Sequence, residues 1–173
     1  MWTLLDSPVG ELRIIAGRGA ITAIEFEESV GPVPTTTSAG RAAVRASGRP
    51  VGERSDDDAL LAEARRQLAA YFARELKEFD LPLQPDGTDF QRSVWQQLCE
   101  IAYGETISYG ELARRLGKSA AASRAVGTAN GANPIPIVIP CHRVIGADGS
   151  LTGYAGGLDR KQVLLGLEQE SLF

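Results

Sequence analysis

Histidine occurs once in this chain of 173 residues, and cysteine only twice. Two cysteines argue against the disulfide framework that staples small secreted domains. With a single histidine beside them, they leave too few soft ligands for a zinc site of the usual four-ligand kind. No metal is therefore expected, and no cofactor either. Long apolar runs are also missing, and no stretch suffices to cross a bilayer. The first residues carry no basic-then-apolar leader, so a cytoplasmic protein with no membrane partner is the default expectation. The remainder is ordinary: 43% hydrophobic and 23% charged residues suit a globular chain with one or two small domains.

Positive charge is scarce as well. Lys and Arg number 18 against 22 Asp and Glu, for a net charge of -4 and a pI near 5.1. Phosphate binding needs cations, so this balance speaks against a nucleic-acid partner. The charge is uneven, however. Between Thr106 and Ala147 stand Arg114, Arg115, Lys118, Arg124 and Arg143, opposed only by Glu111. A local basic face on an acidic protein is compatible with modest, salt-sensitive binding.

In chain order, Glu11–Ala16 and Ala20–Phe26 flank a Gly17-Arg18-Gly19 turn and read as a β-hairpin. The stretch 27–56, rich in Pro, Thr, Ser, Ala and Gly, reads as a long surface loop. Asp58 caps a helix through Ala73 whose apolar face is Leu61, Ala64, Leu68 and Phe72. Phe79–Leu83 reads as a short strand, and Leu83–Thr88 as a linker. These observations divide the chain into an α/β unit over 1–84 and a mostly helical unit over 85–173.

The second unit opens with a capping box, Thr88-Asp89-Phe90-Gln91, and a helix with Phe90, Val94, Leu98 and Ile101 on one side. Ser108-Tyr109-Gly110-Glu111 starts a short helix that stops at Gly117. Ser119 caps the next, over Ala120–Asn130. Paired helices about a tight turn are the geometry of a helix-turn-helix, and equally of a plain αα-hairpin. The second helix is built of small residues and has few side chains long enough to read a major groove. It is suited to close approach to a sugar-phosphate surface or a minor groove. Arg124, its one long cation, is either a contact to such a surface or a solvated charge. After Val144, an Asp148-Gly149 turn suggests a hairpin to Thr152, and a last helix spans Asp159–Glu168. Glu168 lies beside that helix's apolar residues, positioned to act inward or to reach around to water.

The most unusual stretch is Ile135-Pro136-Ile137-Val138-Ile139-Pro140-Cys141-His142-Arg143-Val144. Prolines and branched apolar residues predict a stiff, buried, extended segment that aims Cys141. A thiol becomes a strong nucleophile when a neighbouring base or cation favours its thiolate. The alternative is a small core cysteine next to an unrelated histidine. Adjacent side chains on a strand point to opposite faces, so His142 reaches Cys141 only if the chain bends after Pro140 or a water bridges them.

Pro-Cys-His-Arg-Val-Ile closely resembles the active-site motif of the O6-alkylguanine-DNA alkyltransferase family, the methylated-DNA–protein-cysteine methyltransferases. The resemblance runs from about Gly87 to Glu168 and includes Asn-Pro-Ile-Pro-Ile before the motif and Gly153-Tyr154-Ala155-Gly156-Gly157-Leu158 after it. It implies a small N-terminal ribonuclease H-like α/β domain followed by a helix-turn-helix, winged-helix-like domain. It also implies single-turnover transfer of an alkyl group from O6-alkylguanine, and from O4-alkylthymine, in double-stranded DNA to Cys141. By the same resemblance His142 is the base, Glu168 orients it, and Asn133 braces the site. Tyr109 contacts a flipped nucleotide, and Arg124 fills the vacated stack. Ser119, Ala125 and Gly127 belong to the minor-groove helix. The Cys141 and Val144 carbonyls accept from the guanine amino group, and Tyr154, Ala155 and Gly156 cover the base. Many relatives have serine where this chain has Ala155. The segment 117–123 is one residue longer than in close relatives, which bears on the docking of Arg124. Some members hold a structural zinc near the N-terminus, for which this chain lacks ligands. The family implies a monomer that can cluster on DNA. The other readings are a non-catalytic alkylated-DNA sensor, a helix-turn-helix regulator and a cysteine hydrolase.

Overall fold

The computed structural model describes residues 1–26, 52–151, 153–154 and 156–170. The expected loop therefore lies largely outside the described residues, as do Thr152 and Ala155. Strands β1 (Trp2–Leu5), β2 (Leu12–Gly17) and β3 (Ala20–Phe26) form an antiparallel sheet in that order. The β2–β3 turn places both Arg18 and Gly19 at positive φ, 55° and 77°, as a tight hairpin turn requires. Helix α1 (Ala59–Phe72) begins where the Asp58 side chain accepts from Leu61 N–H at 3.0 Å. Its Leu61, Ala64, Leu68 and Tyr71 are buried in the same cluster as Leu12, Ile14, Ile21 and Ile24 of the sheet. The opposite face holds a smaller cluster of Ile15 and Ala23 beneath Trp2.

Phe79–Leu83 is not a strand. Leu83 makes one isolated bridge to Ile21, held by Ile21 N–H to Pro82 O and Gln84 N–H to Ile21 O. The alternation of apolar residues there serves to pack Phe79, Leu81 and Leu83 on the core without a ladder.

The helical region starts with α2 (Asp89–Leu98), whose capping box between Thr88 and Gln91 is complete. Trp95 is buried and donates through Nε1 to the Ala129 carbonyl at 2.8 Å, pinning α2 to a later helix. Strand β4 (Ile107–Ser108) runs into α3 (Tyr109–Arg115), capped by Ser108. Helix α3 ends in a Schellman motif: Lys118 N–H bonds to Ala113 O and Gly117 N–H to Arg114 O, with Gly117 at φ 73°. The expected single helix from Ala120 is instead a 3₁₀ turn, Ala120–Ala122, followed by α4 (Ser123–Gly131). Ser119 makes no side-chain cap, because the turn it precedes is 3₁₀. Helices α3 and α4 pack as the helix-turn-helix pair.

The 135–144 stretch is buried as expected but is not an extended rod. Pro136 and Ile139 bridge each other across a tight turn, with Ile139 N–H bonded to Ile135 O at 3.0 Å. Ile137 sits at φ 74°, which for a β-branched residue costs about 1–3 kcal/mol. Proline fixes its own φ but not the ψ of the residues between, so the sequence did not force extension. Cys141–Arg143 then forms a 3₁₀ turn. Strand β5 (Val144–Ile145) pairs in parallel with β4 instead of opening a hairpin. The Asp148-Gly149 turn is present, closed by Gly146 N–H to Ser150 O at 2.8 Å, but among the described residues no strand follows it. Helix α5 (Leu158–Glu170) is the last element among the described residues.

Candidate active site

Asn133 organises the approach to the cysteine. Its Oδ1 accepts from Ile135 N–H at 3.0 Å and its Nδ2 donates to Ile139 O at 2.8 Å. One amide thus spans the turn that holds Ile137 in its strained conformation. The chain bends after Pro140, at φ -81° and ψ 64°, so Cys141 and His142 do not alternate as neighbours on a strand would.

Cys141 is buried, and burial pushes its thiol up to about 11, against the opposing pulls of Asn133 and of the Lys161 cation. The resting sulfur is therefore a protonated thiol near neutral pH, and a base must take its proton as it reacts. His142 is fully buried beside it in sequence. Its Nε2 lies 3.0 and 3.1 Å from the Glu168 carboxylate oxygens. A carboxylate only accepts, so Nε2 carries the proton and Nδ1 keeps its lone pair. Nδ1 is buried without a hydrogen-bond partner among the described residues. Burial holds the imidazole below its usual value, against the pull of Glu168, so it rests neutral and able to act as a base.

Glu168 projects from α5 and is 1% exposed. Burial would raise its carboxyl, but His142 and Arg143 together hold it below the usual range. Arg143 donates to it through Nε at 2.8 Å and Nη2 at 2.5 Å, and through Nη1 to Ile101 O at 2.6 Å. Sequence reasoning placed Arg143 on a basic face; it is the buried counter-charge of Glu168. Lys161, in the first turn of α5, is fully buried and donates to Val144 O at 2.6 Å. Its Nζ is 6.0 Å from the Tyr109 ring. The seven-residue spacing from Lys161 to Glu168 puts both on one helix face, a signal available in the sequence. Asn130, also missed, is buried in α4 and reaches the Cys141 carbonyl at 3.4 Å. That carbonyl accepts from Val144 N–H too, so both acceptors expected to face the guanine amine, Cys141 O and Val144 O, already carry protein donors.

Tyr109, at the start of α3, lies against Gly127 of α4, where an added Cβ would stand 3.5 Å from its ring. A Cβ on Gly153 would stand 3.5 Å from the Tyr109 hydroxyl. Tyr109, Gly127 and Gly153 thus form one wall. Tyr154 is buried with its ring centroid 6.1 Å from that of Phe26, and Gly156 is buried beneath the same ring. Ala155 lies outside the described residues. Ser119, Arg124 and Ala125 are exposed along one edge, and Arg124 stands in the first turn of α4. The basic face is weaker than the count of cations suggested. Arg114 and Arg115 pair with Glu111, Arg115 also with Glu105, and Lys118 lies 5.4 Å from the Phe90 ring. Among the described residues no cluster of His, Cys, Asp and Glu could hold a metal ion, and no helix is long and apolar enough to cross a membrane.

Comparison with known proteins bears on both halves of the chain. Residues 1–85 match the family model of the 6-O-methylguanine DNA methyltransferase ribonuclease-like domain, and residues 89–170 that of its DNA-binding domain. A methylated-DNA–protein-cysteine methyltransferase of Mycolicibacterium paratuberculosis is 52% identical over 84% of this chain and 93% of its own length. One from Methanosarcina barkeri is 64% identical over 64% of this chain and 69% of its own. The crystal structure of Mycobacterium tuberculosis OGT in complex with DNA superposes with a TM-score of 0.77 at 45% identity, covering 98% of this chain and 93% of that one.

Proposed function

The chain belongs to the 6-O-methylguanine DNA methyltransferase family, and from that premise we propose a single-turnover reaction carried by Cys141. The duplex docks by its minor groove on α3 and α4, with Ser119, Arg124, Ala125 and Gly127 at the surface. The damaged nucleotide leaves the stack, at a cost of roughly a few kcal/mol, and enters between Tyr109 and the segment bearing Tyr154 and Gly156. Arg124 fills the space it vacates. The Cys141 sulfur attacks the alkyl carbon in line, its proton passes toward His142 Nδ1, and the carbon–O6 bond breaks as guanine departs. Glu168 stabilises the imidazolium, and the Tyr109 hydroxyl donates to the leaving base. Val144 O, with one lone pair beyond Lys161, accepts from the guanine amine.

The product is a thioether on a saturated carbon. No group in the site hydrolyses such a bond, so each molecule reacts once. O6-alkylguanine is the main substrate and O4-alkylthymine a second. We assign the boundary between the units to 84/85 and the working state to a cytoplasmic monomer that can cluster on DNA.

The observation that carries this reading is the buried thiol whose neighbour His142 is hydrogen-bonded to Glu168, itself paired with Arg143, with α4 of the helix-turn-helix bonded to the Cys141 carbonyl through Asn130. The deciding experiment incubates the protein with duplex DNA carrying labelled O6-methylguanine. Label on Cys141, at most one per molecule, is the expected result. Label released to solution indicates a hydrolase, and label left on the DNA a sensor or a regulator.

A further inference from the structure

The sheet domain supplies none of the groups assigned to the chemistry, yet it touches the segment that is read as covering the base. Arg160, in the first turn of α5, makes the connection. Its Nε donates to Val9 O, between β1 and β2, at 2.7 Å. Its Nη1 donates to Gly156 O at 2.9 Å. The guanidinium carbon lies 4.8 Å from the Phe26 ring centroid at the end of β3. One planar cation therefore ties a carbonyl of the sheet domain to a carbonyl of the covering segment while stacking on the sheet's last aromatic.

The seat is tight. A Cβ on Gly156 would meet Phe26 Cε2 at 2.7 Å and Tyr154 Cε1 at 2.9 Å. A Cβ on Gly10 would come within 3.4 Å of Arg160 Nη2. Tyr154 meets Phe26 edge-on. Nearby, the sheet grips the turn before Cys141 as well, through Ile24 N–H to Pro134 O at 2.9 Å. The sheet domain thus holds the covering segment and the nucleophile's turn in one frame. A guanidinium suits this work, since its fixed fork engages two carbonyls and a ring face at once.

We propose that Arg160 is a positioning residue: it clamps the segment bearing Tyr154 and Gly156 to the sheet domain, and so holds the base-binding wall in its competent form. The proposal rests on the reading of that segment as the wall against the guanine. Its consequence is a population effect. A wall that is competent only part of the time weakens base binding by the competent fraction and leaves the thiol chemistry unchanged. The sheet domain then acts as a splint for the site.

The test uses the full chain and the variants Arg160→Ala and Arg160→Lys. Hydrogen exchange of the peptide covering Gly153–Leu158 reads the clamp itself. Saturation kinetics with free O6-benzylguanine read its role, and iodoacetamide labelling of Cys141 against pH reads the proton relay. Losing two carbonyl bonds should speed exchange of that peptide about tenfold and raise the half-saturating O6-benzylguanine concentration about tenfold. Exchange in α4 and the shape of the iodoacetamide pH profile should stay unchanged. Lysine, which keeps the charge but not the fork, should recover part of both losses. Unchanged exchange at Gly153–Leu158 overturns the clamp. Equal loosening of α4, or an unchanged half-saturating concentration, overturns its role as a positioning residue. A wild-type protein that takes no benzyl group overturns the repair reading and the role built on it, whereas the exchange result judges the clamp independently.

Discussion

Cys141, His142, Arg143, Lys161 and Glu168 are all buried, whereas Ser119, Arg124 and Ala125 are all exposed. Both groups belong to the same helical region, and α4 contributes to each, through Asn130 on the inside and Arg124 on the outside. The buried group is held by mutual charge: Glu168 accepts from His142 and Arg143, and Lys161 caps the Val144 carbonyl. The exposed group has no such partners, and what it presents is small side chains, backbone and one cation. Charges removed from water must be paired and are expensive to unpair. Charges left in water are individually cheap. The inner site should therefore be brittle and the outer surface tolerant, and each can be perturbed with little effect on the other.

The largest expected effect separates them completely. Cys141→Ser removes the proposed nucleophile and leaves the exposed residues unchanged. Label transfer from O6-methylguanine DNA should vanish, while affinity for the same duplex, followed by fluorescence anisotropy, stays within about twofold, as expected of sites without shared partners. A serine variant that still takes the label, or one that no longer binds, would show that the two groups are not separable.

Glu168→Gln attacks the pairing. It leaves Arg143 buried with a weakened partner and the His142 imidazolium without its counter-charge. Breaking one member of a buried pair costs about 3–5 kcal/mol, and an isosteric amide should sit toward the lower figure. Transfer should slow more than binding weakens, and the pH profile of Cys141 with a small alkylating probe should move upward. Stability against pH gives an independent check. The Glu168 carboxyl titrates lower in the folded chain than in the unfolded one, so its contribution is complete above the ordinary carboxyl range near 4.5 and is lost as pH falls through the folded value. His142 adds an earlier loss: with its folded value depressed, protonation below about 6.5 favours the unfolded chain. Urea midpoints from pH 7 downward should therefore fall in two stages, and the second should be shallower in the variant, since Glu63 and Glu111 are also held low in the folded chain. A variant with the wild-type acid arm would place Glu168 outside the relay.

How much of this was legible follows the same division. The motif around Cys141 and His142 could be read because its residue types are rare in this chain. Glu168 could be found from its place beside the apolar residues of α5. Arg143 and Lys161 were not found, because a sequence shows a cation and not whether it is solvated. Counting Arg143 as surface charge made the basic face look stronger than it is. The hairpin of β2 and β3 and the capped starts of α1 and α2 were legible because turn and cap chemistry is local. The parallel pairing of β4 with β5 spans two residues on each side, too short to leave a periodicity. The turn at Ile137 was hidden for another reason: its positive φ is imposed by Asn133 and the surrounding core, against the residue's own preference.

Arg124 offers a smaller but more selective effect on the outer surface. If it fills the space left by the extruded base, it offsets part of the unstacking cost and matters only in a duplex. Arg124→Ala should slow repair of duplex O6-methylguanine about tenfold, a little over 1 kcal/mol, with reaction of free O6-benzylguanine unchanged. Rates on both substrates from one preparation decide it. Equal losses indicate a damaged fold, and no loss on either leaves Arg124 a solvated charge. The 3₁₀ turn at Ala120–Ala122 matters here, because it sets where the first turn of α4 begins and so where Arg124 points.

The smallest effect is in the salt dependence, and it measures how weak the outer surface is. Of the cations counted from Thr106 to Ala147, Arg143 is buried against Glu168, and Arg114 and Arg115 are engaged by Glu111 and Glu105. That leaves Arg124 and Lys118 as the exposed cations of this stretch outside ion pairs, with Lys118 resting near the Phe90 ring. Each phosphate neutralised by the protein releases condensed counterion, so two such contacts predict a slope of log affinity against log salt of about -2. A surface that also used Arg114 and Arg115 would give a slope of about -3 to -4. Arg124→Ala should reduce the slope by about one. Titrations on undamaged duplex between low and physiological salt distinguish these cases. A slope near the larger value would mean that Arg114 and Arg115 leave Glu111 and Glu105 when DNA arrives, making those ion pairs a feature of the free protein and extending the outer surface along α3.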